Sequence, residues 1–449
     1  MFIQKIYITK SPFLSSPLQF LSIITRHSFY MEHAMLARVK SYNNLLYSIL
    51  IGLFFILALP LKISYSLIPI LLAVSGIVLL VPHIKSRTFN LDKADKWLIA
   101  SFVFYFTLCV ISFMTHKGKF SELDLPSRAV LTLPILAVLY KKHIQQVWIL
   151  YAILAGGIVA GVVSIIQVFG FDLDKPFPKT MHIQAGDMAM SLAMFSFCAL
   201  FYFHAQKQRL LTVTCLIAGL LAMIASFLTT ARGAWIGVPA VLAVIFLLNR
   251  KNLSKWVVTS VLLITLSGGF FAKETIYQRY LEAKSDISAY VDRSNTSTSV
   301  GARFDMWKSS LLGIQEKPLF GWGLEGVKEM RKQHFEQGKI SQYASGFAHA
   351  HNQYLHDTAT RGVLGLIALL AILFVPLSSF WRNVRQAAPN SLAHLWGVLG
   401  ITHILLMMSY FLTQAFLSHN SGVMFYFTVT LIFLGLQKTA QNQPLVGTQ

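Results

Sequence analysis

Three histidines, an asparagine, a tyrosine, an aspartate and an arginine share one short stretch, GFAHAHNQYLHDTATRG, residues 346–362. Side chains of these types can bind a metal or move a proton. If the chain is helical from Ala348 onward, His349 and His356 are separated by about 10.5 Å along the axis. That is too far for one zinc ion, whose bonds to nitrogen are about 2.0–2.1 Å long. His351 and His356 would stand roughly 140° apart around the same helix, at about 100° per residue. No HExxH pattern is present. No metal is therefore expected, and a shared ion survives only if His349 and His351 lie on an extended stretch. Proton transfer remains. An imidazole titrates near neutral pH and accepts a proton from a hydroxyl held against it. Asn352 beside it can orient a hydroxyl or a carbonyl. The plainer alternative for any one of these histidines is a capping or interfacial side chain, and His349 competes with His351 as the base.

Three arginines are placed to meet an anion. Arg232, in FLTTARGAWIGV, is a single charge between two apolar runs. A charge there is costly and marks function unless it snorkels to lipid headgroups. Arg128, in LPSRAVL, has the same two readings. Arg303 falls in the first turn of a predicted helix over 301–314, where Phe304, Trp307, Leu311 and Ile314 recur at helical spacing. Ser297 and Ser299 are candidate caps, and Pro318 ends the helix. A cation at a helix N-terminus opposes the dipole. Arg303 thus needs an anionic partner: a substrate phosphate, or Asp305 or Glu316 in a surface ion pair. GWGLEGV comes next, a glycine-rich turn that lets backbone approach something closely.

The elements that position these residues are membrane spans. The chain of 449 residues is 55% hydrophobic and 12% charged, where soluble domains carry about 25% charged residues. It is read as an all-α polytopic membrane protein. Its net charge of +20 is assigned to orienting loops, not to nucleic acid, because no basic stretch is interleaved with aromatics. Cys109, Cys198 and Cys215 all sit in apolar runs and read as small buried hydrophobes. The first residues, 1–42, hold no run long enough to span and no small-residue cleavage site; they are expected to be a cytoplasmic tail, with Met31 or Met35 as an alternative start.

Beyond the tail lie twelve apolar windows, at 43–60, 64–83, 97–115, 127–140, 145–169, 187–205, 210–229, 234–249, 256–272, 362–380, 392–412 and 420–437, the fourth and eighth being short. One alternate set of loops contains HIKSRTFNLDKADK, YKKHI, QKQRL, NRKNLSK and WRNVRQ. These loops concentrate the basic residues, so the positive-inside rule places them and both termini in the cytoplasm. The expected layout is nine spans over 43–272, a large external helical loop over 273–361, three spans over 362–437 and a cytoplasmic tail over 438–449. A long loop among tightly connected spans is where chemistry is expected. Outside a Gram-negative inner membrane lies the periplasm, which lacks ATP. The span centres are almost free of charge, which argues against a transporter.

Taken together, TTARGAW, then YQRYLEA, GARFDMW, PLFGWGL and HNQYLHDTATRGVLGL resemble the O-antigen ligase family, which includes O-antigen polymerases and protein O-oligosaccharyltransferases. The likeness covers roughly residues 225–380 and is closest to ligases of enteric-type bacteria. It implies a helical glycosyltransferase of the GT-C type with about twelve spans. The implied donor is O-antigen on undecaprenyl diphosphate, and the acceptor is a sugar of lipid A–core. Transfer would be inverting, without metal or other cofactor, at the periplasmic face of the inner membrane. By motif, Arg232 and Arg303 match the family's essential arginines and His351 its essential histidine. Arg128 and Asn352 are expected to assist in substrate binding. The chemistry suits these residue types. Without a metal, guanidinium forks must neutralise the leaving diphosphate, and one base must deprotonate the acceptor hydroxyl. The lipid-borne diphosphate also explains why polar residues cluster against a membrane boundary.

Overall fold

The computed structural model describes residues 44–86, 89–271, 281, 284–288, 290, 292 and 298–442. The tail expected over 1–42, Ser297 as a cap, and much of 273–297 lie outside the described residues. Every regular element among the described residues is helical. Among the described residues, nine segments are long and apolar enough to cross a membrane: Ser64–Pro82, Lys93–Thr115, Phe120–Lys141, Gln146–Gly170, His182–Ala205, Arg209–Leu228, Gln353–Gln386, Leu392–Thr413 and Asn420–Gln441. Three shorter apolar helices, Asn44–Leu57, Gly233–Leu248 and Lys255–Leu266, coincide with the first, eighth and ninth windows. The fourth span is longer than its window because it begins at Phe120. The tenth helix begins at Gln353, so half of the polar stretch forms its opening turns.

The helices that frame the polar end of the bundle are α1 (Lys93–Thr115), α2 (His182–Ala205), α3 (Ser299–Glu316), α4 (Gly326–Glu336), α5 (Gln353–Gln386), α6 (Leu392–Thr413) and α7 (Asn420–Gln441). Helices α2, α6 and α7 form the enclosed centre, so they are apolar nearly all round. Aromatic rings interlock there: Phe195 lies 5.1 Å from Phe433, and Phe102 4.8 Å from Phe427, both edge-on. At the end bearing the basic loops, buried Lys438 bonds Asp92 at 2.7 Å and Asp95 at 2.5 Å. Tyr140 donates to the same Asp95 oxygen at 2.6 Å.

The opposite end holds the long connection, which is spliced into α5. At Gly362 the helix breaks, with φ +66° and ψ −164°. A straight helix would pair Val363 N–H with Ala359 O, and the next N–H with Thr360 O. Instead Val363 N–H donates to Pro318 O at 2.8 Å, while Trp322 and Gly323 N–H groups donate to Ala359 O and Thr360 O, both at 2.9 Å. The glycine-rich turn supplies the backbone partners that the break removes. A side chain at Gly362 would meet Leu319 O at 2.1 Å, and one at Gly321 would meet Thr360 C at 2.5 Å. His116, at the end of α1, holds Gly321 O from the other side at 3.1 Å.

Candidate active site

Helix α3 carries Arg303. Its N-terminus is capped by Thr298, whose hydroxyl accepts from Gly301 N–H at 3.0 Å, in place of the expected serines. Its buried face is also not the expected one. Ala302, Asp305, Met306, Ser309 and Ser310 point inward, whereas Leu311 is 53% exposed. Ala302 and Met306 pack on Ile340 and Ala344, while the inward polar residues hydrogen-bond. Asp305 accepts from Tyr290 at 2.9 Å and from Ser341 N–H at 2.7 Å, and Glu316 sits 3.3 Å from His334. Neither acid pairs with Arg303, and among the described residues no other carboxylate does. Burial pulls its guanidinium below the usual arginine range.

One turn on, Trp307 Nε1–H donates to Ala350 O at 2.9 Å. This ties the Arg303 helix to the peptide beside His351. The stretch before α5 is not helical: His351 has φ +47°, a left-handed conformation costly for a non-glycine residue. Asn352 then caps α5, its side-chain oxygen accepting from Leu355 N–H at 3.0 Å. The rings of His349 and His351 therefore approach to 4.4 Å, with His419 at 5.6 Å and His356 at 6.4 Å from His349. The separation expected of a helix from Ala348 onward does not apply. Among the described residues, no group of three His, Cys, Asp or Glu side chains is arranged to hold a metal ion.

Gln414, just past α6, orients this cluster. His351 Nδ1–H donates to Gln414 Oε1 at 2.7 Å, and Gln414 Nε2 reaches His419 Nε2 at 3.1 Å. The amide oxygen takes the proton on Nδ1, so the His351 lone pair is on Nε2. Gln353 locks the hairpin in place, accepting from Leu417 N–H at 2.7 Å while its amide donates to Asp357 at 2.7 Å. Asp357 is in turn paired with Arg361.

Electrostatics keep the imidazoles neutral. Burial lowers His351 to about 4; the Gln414 bond opposes this, and Arg303, His419 and Arg331 add to it. His349 is lowered to about 3, first by burial and then by His351, His419 and Arg331. Arg331, on α4, is fully buried and its guanidinium is lowered to about 10, so it stays charged at neutral pH. Its Nη1 donates to Phe347 O at 2.5 Å.

The expected residues thus fall into two groups. Arg303, His349, His351 and Asn352 come together. Arg232 is exposed, one residue before Gly233, which packs on Thr413 beside Gln414; this puts the arginine at the rim. Arg128 is bonded to Asp124 and to Asn420, the residue after His419, both at 2.9 Å. Gln414, His419 and Arg331 were not expected. The first two had a faint signal, polar residues in the short QAFLSHN turn between apolar runs. Arg331 had none to separate it from Lys328 and Lys332.

A helical multi-pass chain with guanidinium and imidazole groups at one end of its bundle has the makings of a transferase for membrane-borne anionic substrates. A family model described as O-antigen ligase matches residues 217–370, which include Arg232, Arg303, Arg331, His349 and His351. An uncharacterized protein of Haemophilus influenzae is 38% identical over 393 residues, covering 86% of this chain and 97% of its own length. The chain belongs to the O-antigen ligase superfamily, whose members are membrane glycosyltransferase-like enzymes acting on lipid-linked sugars.

Proposed function

We propose that this protein is an O-antigen ligase. It moves O-antigen from undecaprenyl diphosphate to a sugar of lipid A–core on the periplasmic side of the inner membrane. Twelve spans in a GT-C-type arrangement hold the site there. The observation that carries this reading is the fixed tautomer of His351: Gln414 occupies Nδ1, which leaves Nε2 to accept a proton. Arg303 acts electrostatically on the same ring, from a helix tied to the adjacent peptide.

The step is a direct displacement. The acceptor hydroxyl oxygen attacks the anomeric carbon, and its proton passes to His351 Nε2. The bond from that carbon to the phosphate oxygen breaks, and its electron pair leaves on undecaprenyl diphosphate. Attack opposite the leaving group inverts the centre. Arg303, with Arg232 at the rim, takes up the charge on the diphosphate, the task for which planar guanidinium forks are suited. Diphosphate binding also neutralises a cation that depresses His351, so the base strengthens as the donor arrives. Arg128 and Asn352 act in this reading by holding the frame, through Asn420 and the α5 cap.

A polymerase of the same superfamily would share all donor chemistry and differ in acceptor. Lipopolysaccharide from a strain lacking this gene separates the two, with carrier-linked glycan assayed alongside. A bare core, with long chains accumulating on the carrier, is expected. A core bearing a single repeat unit means polymerase, and an unchanged ladder rejects both.

A further inference from the structure

Arg331 is an unusual charge. It is 0% exposed, and its Nε and Nη2 atoms have no hydrogen-bond partner among the described residues. Its one bond among the described residues is from Nη1 to a backbone carbonyl, that of Phe347. The free pair matters: Nε–H and Nη2–H form the parallel side edge of a guanidinium, which grips two oxygens of a carboxylate or phosphate. The carboxylates of the neighbouring helices are committed elsewhere. Asp305 holds Tyr290 and Ser341, Glu316 meets His334, and Asp357 pairs with Arg361. An uncompensated buried charge is strongly destabilising, so such a fork is retained for a partner.

We propose that the Nε/Nη2 edge of Arg331 is a bidentate phosphate-binding site, the inner cation for a substrate diphosphate whose other phosphate meets Arg303. This rests on the ligase reading, and it adds a ligand contact that the family motifs do not contain. The Arg303 helix is tied to Ala350 O through Trp307, and Arg331 to Phe347 O, so a ligand joining the two guanidiniums lies against the segment that carries His351. The fork is fully buried, and the segment around Phe347 holds its Nη1 through a carbonyl. Binding should therefore couple to that segment and to the orientation of His351.

The test uses the full-length protein in nanodiscs with two probes, inorganic diphosphate and a polyprenyl diphosphate, measured by calorimetry. Arg331→Lys keeps the charge and can still reach Phe347 O, but it loses the fork. Binding of both probes should weaken by about tenfold or more, with the KM for donor raised and the melting temperature little changed. Weakening for the polyprenyl probe alone would show that the site needs the lipid-borne ligand. Unchanged binding and KM would overturn the proposal, yet leave the ligase reading intact if Arg303→Ala still abolishes binding. Wild-type protein that binds neither probe would sink both. Should the variant fail to fold, a cryo-EM structure of the wild type with polyprenyl diphosphate decides. Phosphate within hydrogen-bond reach of Nε and Nη2 supports the assignment, and phosphate on Arg303 with Arg331 still unliganded refutes it.

Discussion

At the scale of single residues, the motif told which histidine and which arginines to watch, but not how they are tuned. His351 owes its free Nε2 to Gln414, some sixty residues away in sequence and visible only once α5 and α6 are packed. Replacing His351 by alanine should reduce turnover by about 10²–10⁴-fold, the usual contribution of a general base, without loss of inserted protein. Activity retained by His351→Ala would remove it from the reaction. Arg303→Ala should abolish transfer, and transfer should persist in excess chelator; inhibition reversed by a divalent cation would argue for a metal-dependent step. The pH response has a definite sign. His349 and His351 are lowered in the folded state to about 3 and about 4, below an unfolded value near 6.5. The unfolded chain therefore binds more protons between those limits. The stability these groups contribute is complete above about pH 6.5 and is lost as pH falls toward 4. Thermal melts from pH 7 to pH 4 should show a decline that His349→Gln reduces.

At the scale of elements, hydropathy placed the spans well because an apolar run of sufficient length is a local property. It could not see a break inside one. VLGLIALL reads as the start of a helix, yet α5 begins ten residues earlier and is interrupted at Gly362. The reason is backbone hydrogen bonding to residues 318–323, which no periodicity encodes. The buried face of α3 departs from its apolar pattern for a related reason: it mixes Ala302 and Met306, packed on Ile340 and Ala344, with Asp305, Ser309 and Ser310, which hydrogen-bond. Gly362→Ala should be among the most damaging single changes. Its φ is +66°, and the new carbon would stand 2.1 Å from Leu319 O. Strain of this kind costs about 1–3 kcal/mol before the steric clash is counted. A markedly lower melting temperature by fluorescence-detected size exclusion is expected, with Ala368→Gly, further along α5, losing less.

For the molecule as a whole, charge sits at the two ends of the bundle and is used differently. At the basic-loop end, Lys438 is closed by Asp92 and Asp95, so the network holds α7 against α1. Lys438→Met strands a buried Asp95 and should cost about 3–5 kcal/mol, read as reduced thermal stability with little change in donor KM. At the other end, Arg303 and the Arg331 fork are left without acids among the described residues. Alternate basic loops made this polarity legible in the sequence. Which arginine is satisfied and which is left open was not, because the acids that settle it come from distant segments.

The splice at Gly362 has a consequence for building hybrids of this protein with its relatives. A crossover placed at the hydropathy boundary near residue 361 would bring a turn from one parent to a broken helix from the other. Residues 318–323 and 359–363 would then have to match atom by atom through their main chains. Functional chimeras should be recovered when 318–363 is inherited as one block and be rare when a junction falls inside it, even between parents whose side chains there are identical in type.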